Sequence, residues 1–146
     1  MNIQIKKLSN AKDLPLPAYA THDSAGMDLR AAVEREVIIE PGTTLLIPCG
    51  IAIAVPVGFE AQIRPRSGLA ASHSITIPNS PGTIDPDYRG ELKVLLLNSG
   101  DKPFVVKRGM RIAQMVIAPV GRAEWQEVEY LPETTRSVGG YGHTGT

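Results

Sequence analysis

Three stretches of this chain set oxygen and nitrogen groups where they could do chemistry. In PNSPGTIDPDYRGELKVLLLN, residues 78–98, the carboxylate of Asp85 stands among Ile84, Pro86 and Tyr88, just before an apolar run. Pro86 biases Asp85 toward an extended conformation, and Gly82 permits close backbone approach to a turn or to a ligand. A carboxylate held there can draw a proton from water; Asp-Pro-Asp can equally be a plain turn, and Asp85 and Asp87 share a face only if the segment is extended. In RPRSGLAAS, residues 64–72, Ser67 and Gly68 open a short helix candidate, with Arg66 directly before it. A helix start has free N–H groups and favours an anion, and Ser67 suits its N-cap. An ordinary cap is the alternative, and Arg64 and Arg66 around Pro65 raise the case for a phosphate. In RSVGGYGHTG, residues 136–145, successive glycine N–H groups can wrap an anion. Arg136 adds charge, Tyr141 a stacking surface, and His143 and Thr144 donors. Read alone, that stretch is a tail.

Two further stretches are less explicit. In SAGMDLRAA, residues 24–32, a strand would point Asp28 away from Met27 and Leu29, and an exposed acid on an edge strand accounts for it alone. In RGMRIAQM, residues 108–115, Gly109 suits a turn before a strand. Strict alternation puts Arg111, Ala113 and Met115 on one face and Ile112, Gln114 and Val116 on the other. Gln114 then serves either a backbone group or a ligand.

The elements that position these groups are short. Gly (14) and Pro (12) punctuate all 146 residues and leave little room for long helices. Between them lie runs such as TTLLIP, GIAIAVP, FEAQIRP, ELKVLLLN and RIAQMVIAPV, several of them alternating as half-buried strands do. This pattern predicts one all-β domain, a sandwich, jelly roll or barrel. Its only helix candidate is SGLAASHS, residues 67–74. From Pro132 onward the composition changes, with four glycines and almost nothing to bury, which predicts a mobile arm over 132–146 beyond a domain of 1–131.

Charge and composition exclude several classes. Lys+Arg and Asp+Glu both total 15, so an anionic ligand must be held by local arginines rather than by a global field. No basic run interleaved with aromatics argues for nucleic acid. Cys49, the only cysteine, allows no internal disulfide and reads as a core residue. The N-terminus lacks an apolar signal core, and LLIPCGIAIAVPVGF is too interrupted to span a membrane, so a cytoplasmic protein is expected. There is no GxxxxGK[ST] or GxGxxG phosphate loop and no zinc-type His/Cys spacing. His22-Asp23-Ser24 has the letters of a hydrolase triad, but consecutive residues in an extended segment cannot meet.

Taken in order, AGMDL, PRSGL, GTIDPDYRGE, RGMRIAQ and RSVGGYGHTG resemble the five motifs of the trimeric dUTP pyrophosphatases, spanning residues 25–145. The resemblance implies a distorted jelly-roll β fold with one short helix and a flexible glycine-rich C-terminal arm. It also implies a homotrimer in which each active site draws on three subunits and the arm completes a neighbour's site. The last motif usually reads Arg-Gly-x-Gly-Gly-Phe-Gly-Ser-Thr-Gly. Here Ser137 replaces its first glycine, Tyr141 keeps an aromatic face, and His143 replaces serine with a titratable donor.

The reaction so implied is hydrolysis of dUTP to dUMP and pyrophosphate, with Asp85 as general base toward a water attacking the α-phosphorus. Mg²⁺ is the implied cofactor, held mainly by substrate phosphates, with Asp28 near its waters. Arg66, Ser67 and Gly68 hold the middle of the triphosphate and Gln114 the α-phosphate region. Arg136, His143 and Thr144, with Gly142 among them, clasp the terminal phosphate. Asn79 and the backbone of Thr83 and Ile84 pair with the uracil edge, Gly82 excludes a C5 methyl, and Tyr88 lies against the sugar. Lys93 aligns with a position that contacts base or sugar, and Tyr141 closes over the uracil. Arg108 and Arg111 are read as ion-paired within the fold. The rivals are a dCTP deaminase of the same fold and a non-catalytic β-sandwich acting as a nucleotide sensor or regulator.

Overall fold

A computed structural model describes residues 1–141, 143 and 145. Among the described residues eleven strands run in order: β1 (Gln4–Lys7), β2 (Met27–Arg30), β3 (Val37–Ile39), β4 (Thr44–Pro48), β5 (Ile51–Ala54), β6 (Phe59–Arg64), β7 (Ile75–Thr76), β8 (Gly82–Ile84), β9 (Lys93–Asn98), β10 (Phe104–Val106) and β11 (Arg111–Pro119). A 3₁₀ turn, Ser9–Ala11, follows β1, and the one α-helix among the described residues, α1 (Ser67–His73), lies between β6 and β7. The expected all-β jelly roll with one short helix is the fold observed. Its pairings are antiparallel and join strands far apart in sequence, in the orders β2-β11-β6-β8, β4-β9-β7, β1-β5 and β10-β3.

The core explains why such short strands suffice. Along β9, Val94, Leu96 and Asn98 are buried while Lys93 is exposed, the period of two expected of a sheet with one face covered. Leu29 of β2, Ala61 and Ile63 of β6, and Ile112 and Met115 of β11 join Ile47, Ile75, Val94 and Leu96 from the three-stranded sheet in one cluster. Each buried Leu or Ile contributes roughly 1.5–3 kcal/mol. The core therefore carries the fold, because α1 has no buried residue. Asn98, the one fully buried polar side chain among the described residues, is satisfied: its Nδ2 donates to the carbonyls of Ile39 and Lys102, both at 2.8 Å, and its Oδ1 accepts from Gly100 N at 2.9 Å.

β11 departs from the strict alternation expected of it. The register slips between Arg111 and Ala113, a bulge against β2. Ile112 and Ala113 are consequently both buried, and Arg111 comes to line the same cleft as Gln114, three residues away. Cys49 is buried as expected. Burial, with a smaller contribution from the Glu91 charge, pushes its thiol up to about 12, so it stays protonated and unreactive at neutral pH. Arg108 is ion-paired within the fold to Asp13 and also donates to the carbonyls of Val33 and Asn10. That side-chain hydrogen bonding holds the Asp13 carboxyl below its usual value.

The last ladder ends at Pro119, where Val120 N still donates to Gly58 O at 2.9 Å. Among the described residues after it, hydrogen bonds are made only within the arm. They include Ser137 N to Thr134 O, Gly139 N to Arg136 O, and Arg136 Nε to Gly139 O. Trp125, Leu131, Val138 and Tyr141 are exposed in the single chain.

Candidate active site

Two clefts carry the motif residues. The first, about 330 Å³, is lined by Ser24, Gly26, Asp28, Arg66, Ser67, Gly68, Arg111 and Gln114. Asp28 on β2 is its electrostatic centre. One oxygen lies 2.9 Å from Arg66 Nε, and the other accepts from an Arg111 terminal nitrogen at 3.0 Å. Arg66 also donates to the carbonyl of Arg111 at 3.2 Å. Two guanidinium groups fixed by one carboxylate leave a net positive surface facing the cleft, as an anionic ligand needs.

The beginning of α1 forms the wall beside this triad. Arg66 occupies the N-cap position in extended conformation, and Ser67 is the first helical residue, so the helix begins one place earlier than an N-cap at Ser67 would have it. Ser67 and Gly68 both line the cleft. The first intrahelical bond is made by Ala70 N, so the N–H groups of the first turn remain available to a ligand. Gln114 closes the other side, its Nε2 donating to Pro65 O at 2.9 Å. Gly26 is required for that packing, because a Cβ there would come within 2.5 Å of Gln114 Oε1.

The second cleft, about 470 Å³, is lined by Leu46, Thr83, Ile84, Asp85, Tyr88, Glu91 and Lys93. It adjoins a hollow of about 170 Å³ that includes Asn79, Gly82 and Val94. Gly82 is buried and pairs with Ile63, which fixes the direction of β8. Just past this strand, Pro86 and Asp87 form a turn closed by Tyr88 N donating to Asp85 O at 3.2 Å. Asp-Pro-Asp is thus a turn, and one that presents the Asp85 carboxylate at the cleft's mouth. Arg89 braces it, donating to the carbonyls of Pro86 at 2.6 Å and Tyr88 at 2.8 Å. Arg89 and Glu91 were not singled out in the sequence, because their contribution lies in backbone carbonyls and in residues distant along the chain.

One copy of the chain does not bring the two clefts together. Asp28 is in register with Gln114, and Gln114 with Arg64. Ile84, directly before Asp85, is in register with Ala61. From β2 to β8 is three strand spacings, ~14 Å, and from Arg64 back to the level of Asp85 is four residues, ~13 Å, which together separate Asp28 from Asp85 by roughly 20 Å. No single phosphate can touch both groups. The arm is separate again: Arg136, Tyr141 and His143 are exposed, and Gly142 and Thr144 lie outside the described residues.

Residues 12–145 match the family model described as dUTPase. The chain belongs to the dUTPase family. The deoxyuridine 5'-triphosphate nucleotidohydrolase of Maricaulis maris is 60% identical over 146 residues, covering 99% of this chain and 96% of that protein. Those of Rickettsia typhi, at 60%, and of the Wolbachia of Brugia malayi, at 58%, cover 99% of this chain and 97% and 94% of their own lengths. Among solved structures, a mutant of the phage 80alpha dUTPase superposes with a TM-score of 0.87 at 24% identity, covering 97% of this chain and 98% of that one. A second mutant of the Staphylococcus bacteriophage 80alpha dUTPase, solved with dUpNHpp, gives 0.85 at 24% identity, with 99% of both chains covered. At that identity the structural likeness establishes the fold.

For a dUTPase-family chain the metal question turns on donors. Among the described residues no three His, Cys, Asp or Glu side chains converge. Asp28 offers hard oxygens to the first cleft, one ion-paired with Arg66 and the other accepting from Arg111. A carboxylate oxygen has a second lone pair, so Asp28 can still hold a metal-bound water, the manner of binding that suits Mg²⁺ on a polyphosphate.

Proposed function

We propose that the chain hydrolyses dUTP to dUMP and pyrophosphate, limiting uracil in DNA and supplying dUMP for dTMP synthesis. The observation that carries this reading is the pair of clefts, one basic and one presenting Asp85 beside strand-edge backbone and Tyr88, in a member of the dUTPase family. Because ~20 Å separates their key residues within one chain, each active site is composed between copies. We take the assembly to be a homotrimer, with the first cleft from one subunit, the Asp85 turn from a second and the arm from a third. Exposed Val138 and Tyr141 support an arm that packs on a neighbour, with residues 1–131 as body and 132–146 as arm. Among the described residues no helix is long and apolar enough to cross a membrane, and we place the enzyme in the cytoplasm.

In this reading Asn79 and the backbone of Thr83 and Ile84 pair with uracil, and Gly82 brings the chain too close for a C5 methyl. Tyr88 and Lys93 flank the sugar. Arg66, Ser67 and Gly68 grip the middle of the triphosphate, and Gln114 orients the α-phosphate. Water attacks the α-phosphorus, the bond from that phosphorus to the bridging oxygen breaks, and the proton passes to Asp85. A carboxylate is a weak base at neutral pH, yet it assists because the water acidifies as the P–O bond forms. Asp28, through a water, would help to hold Mg²⁺ on the substrate phosphates, and the ion would supply neutralising charge for the departing pyrophosphate. Arg136, His143, Thr144 and the backbone at Gly142 clasp the terminal phosphate, while Tyr141 covers the base and excludes water.

Pyrophosphate release measured side by side with dUTP, dTTP, UTP and dCTP in Mg²⁺ tests the proposal. Strong release from dUTP alone is expected. Ammonia from dCTP would point to deamination, and no turnover of any nucleotide would point to a binding protein. Gly26→Ala should lower kcat/KM for dUTP on the order of 10-fold or more by displacing Gln114. Its melting temperature should stay within a few degrees of wild type, since the side-chain amide it displaces can swing away. Kinetics and thermal unfolding of the same preparation check both halves.

A further inference from the structure

The turn that carries Tyr88 is anchored by a side chain the proposed chemistry does not use. Tyr88 Oη donates to the carbonyl of Glu91 at 3.0 Å. Its ring lies across Gly90, where a Cβ would come within 2.4 Å of Tyr88 Oη and 2.6 Å of its Cζ. The ring's position therefore depends on where the backbone of residues 90 and 91 sits. One oxygen of the Glu91 carboxylate sets that position, accepting from Asn10 Nδ2 at 2.9 Å and from Gly50 N at 2.9 Å.

Both anchors are themselves fixed. Asn10 belongs to the 3₁₀ turn after β1. Gly50 has φ +67 and is packed so closely that a Cβ would fall 2.2 Å from that of Ala11. The next residue, Leu92, is fully buried and exchanges backbone bonds with Ile51 and Cys49. Glu91 thus stands between a rigid body and an exposed turn, and it lines the same cleft as Asp85 and Tyr88.

We propose that Glu91 is a positioning residue for sugar selectivity: by tying the foot of the 85–90 turn to Asn10 and Gly50, it holds Tyr88 as the wall that rejects a 2′-hydroxyl. This rests on the reading of Tyr88 as the surface against the sugar. The mechanism is steric and short-ranged. A wall free to retreat by about the radius of a hydroxyl oxygen no longer discriminates, whereas the phosphate cleft, built on other elements, is left in place.

The test measures kcat and KM for dUTP and UTP in the full-length Glu91→Ala, Glu91→Gln, Asn10→Ala and Tyr88→Ala proteins. Glu91→Ala is expected to lower the dUTP/UTP ratio of kcat/KM by roughly 10-fold or more, chiefly through a lower KM for UTP. Glu91→Gln should restore the ratio, since one amide oxygen can accept both bonds. Asn10→Ala, which leaves the Gly50 bond, should lower it less, and this variant decides the matter if Glu91→Ala fails to fold. A wild-type ratio in the folded Glu91→Ala or Asn10→Ala protein overturns the inference. If Tyr88→Ala loses selectivity while Glu91→Ala keeps it, only the Glu91 inference fails. If Tyr88→Ala keeps selectivity, the sugar-wall reading fails and takes this inference with it.

Discussion

Replacement of Asp85 by Asn should reduce kcat for dUTP by about 10²-fold or more, the usual loss when a general base is removed. Asn keeps the size and one acceptor oxygen of the side chain but cannot accept the proton released as water attacks. Binding should change little, because the contacts assigned to the nucleotide come from Asn79, Thr83, Ile84, Tyr88 and the basic cleft. Affinity for a nonhydrolysable imido analogue, measured calorimetrically, is the check. Stability should also be unaffected. Among the described residues the Asp85 carboxylate makes no hydrogen bond or ion pair, and only its backbone carbonyl closes the turn. Near-normal turnover in this variant would remove Asp85 from the mechanism.

Deletion of residues 132–146 should leave the body folded and cut kcat/KM on the order of 10²-fold, because the terminal phosphate loses its clasp and the site its cover. The described hydrogen bonds of the arm are internal to it, so no sheet depends on it for pairing. Mixing the truncated protein with the Asp85→Asn variant sharpens the result. If sites are shared between subunits, exchange yields some sites holding both an intact Asp85 turn and an intact arm, and activity should rise above that of either parent. No gain on exchange, verified by mass spectrometry of the mixed assemblies, would return the site to a single chain. Unchanged kinetics in the truncation would make the arm a tail.

The legible part of this protein was local. Ser67-Gly68 after Arg66 signalled a helix start, and the structure differs there by one position because Arg66, held extended and paired to Asp28, takes the N-cap. Asp-Pro-Asp reads in sequence as either a turn or an extended pair, and ELKVLLLN reads as a strand from its apolar run, while the one-sided burial of β9 appears only in the fold. Arg111 could not be placed. Its side of the strand is set by a bulge against β2, and that irregularity depends on the pairing partner rather than on Arg-Ile-Ala-Gln itself. Glu91 and Asn98 escaped for a related reason. Their partners are Asn10 and Gly50, and Ile39 and Lys102, and most of these lie tens of residues away.

The sequence alone therefore determined the architecture class, the groups available for chemistry and, through five ordered motifs, the family. Alternation, turn residues and motif spacing are properties of neighbouring residues. Only the tertiary structure decided which groups share a cleft: it joined Asp28, Arg66, Arg111 and Gln114, and set the Asp85 turn at the far edge of the same sheet. Strand order and register govern distances between residues remote in sequence. That is why a set of motifs that reads as one site is, in the folded chain, spread over two separate clefts.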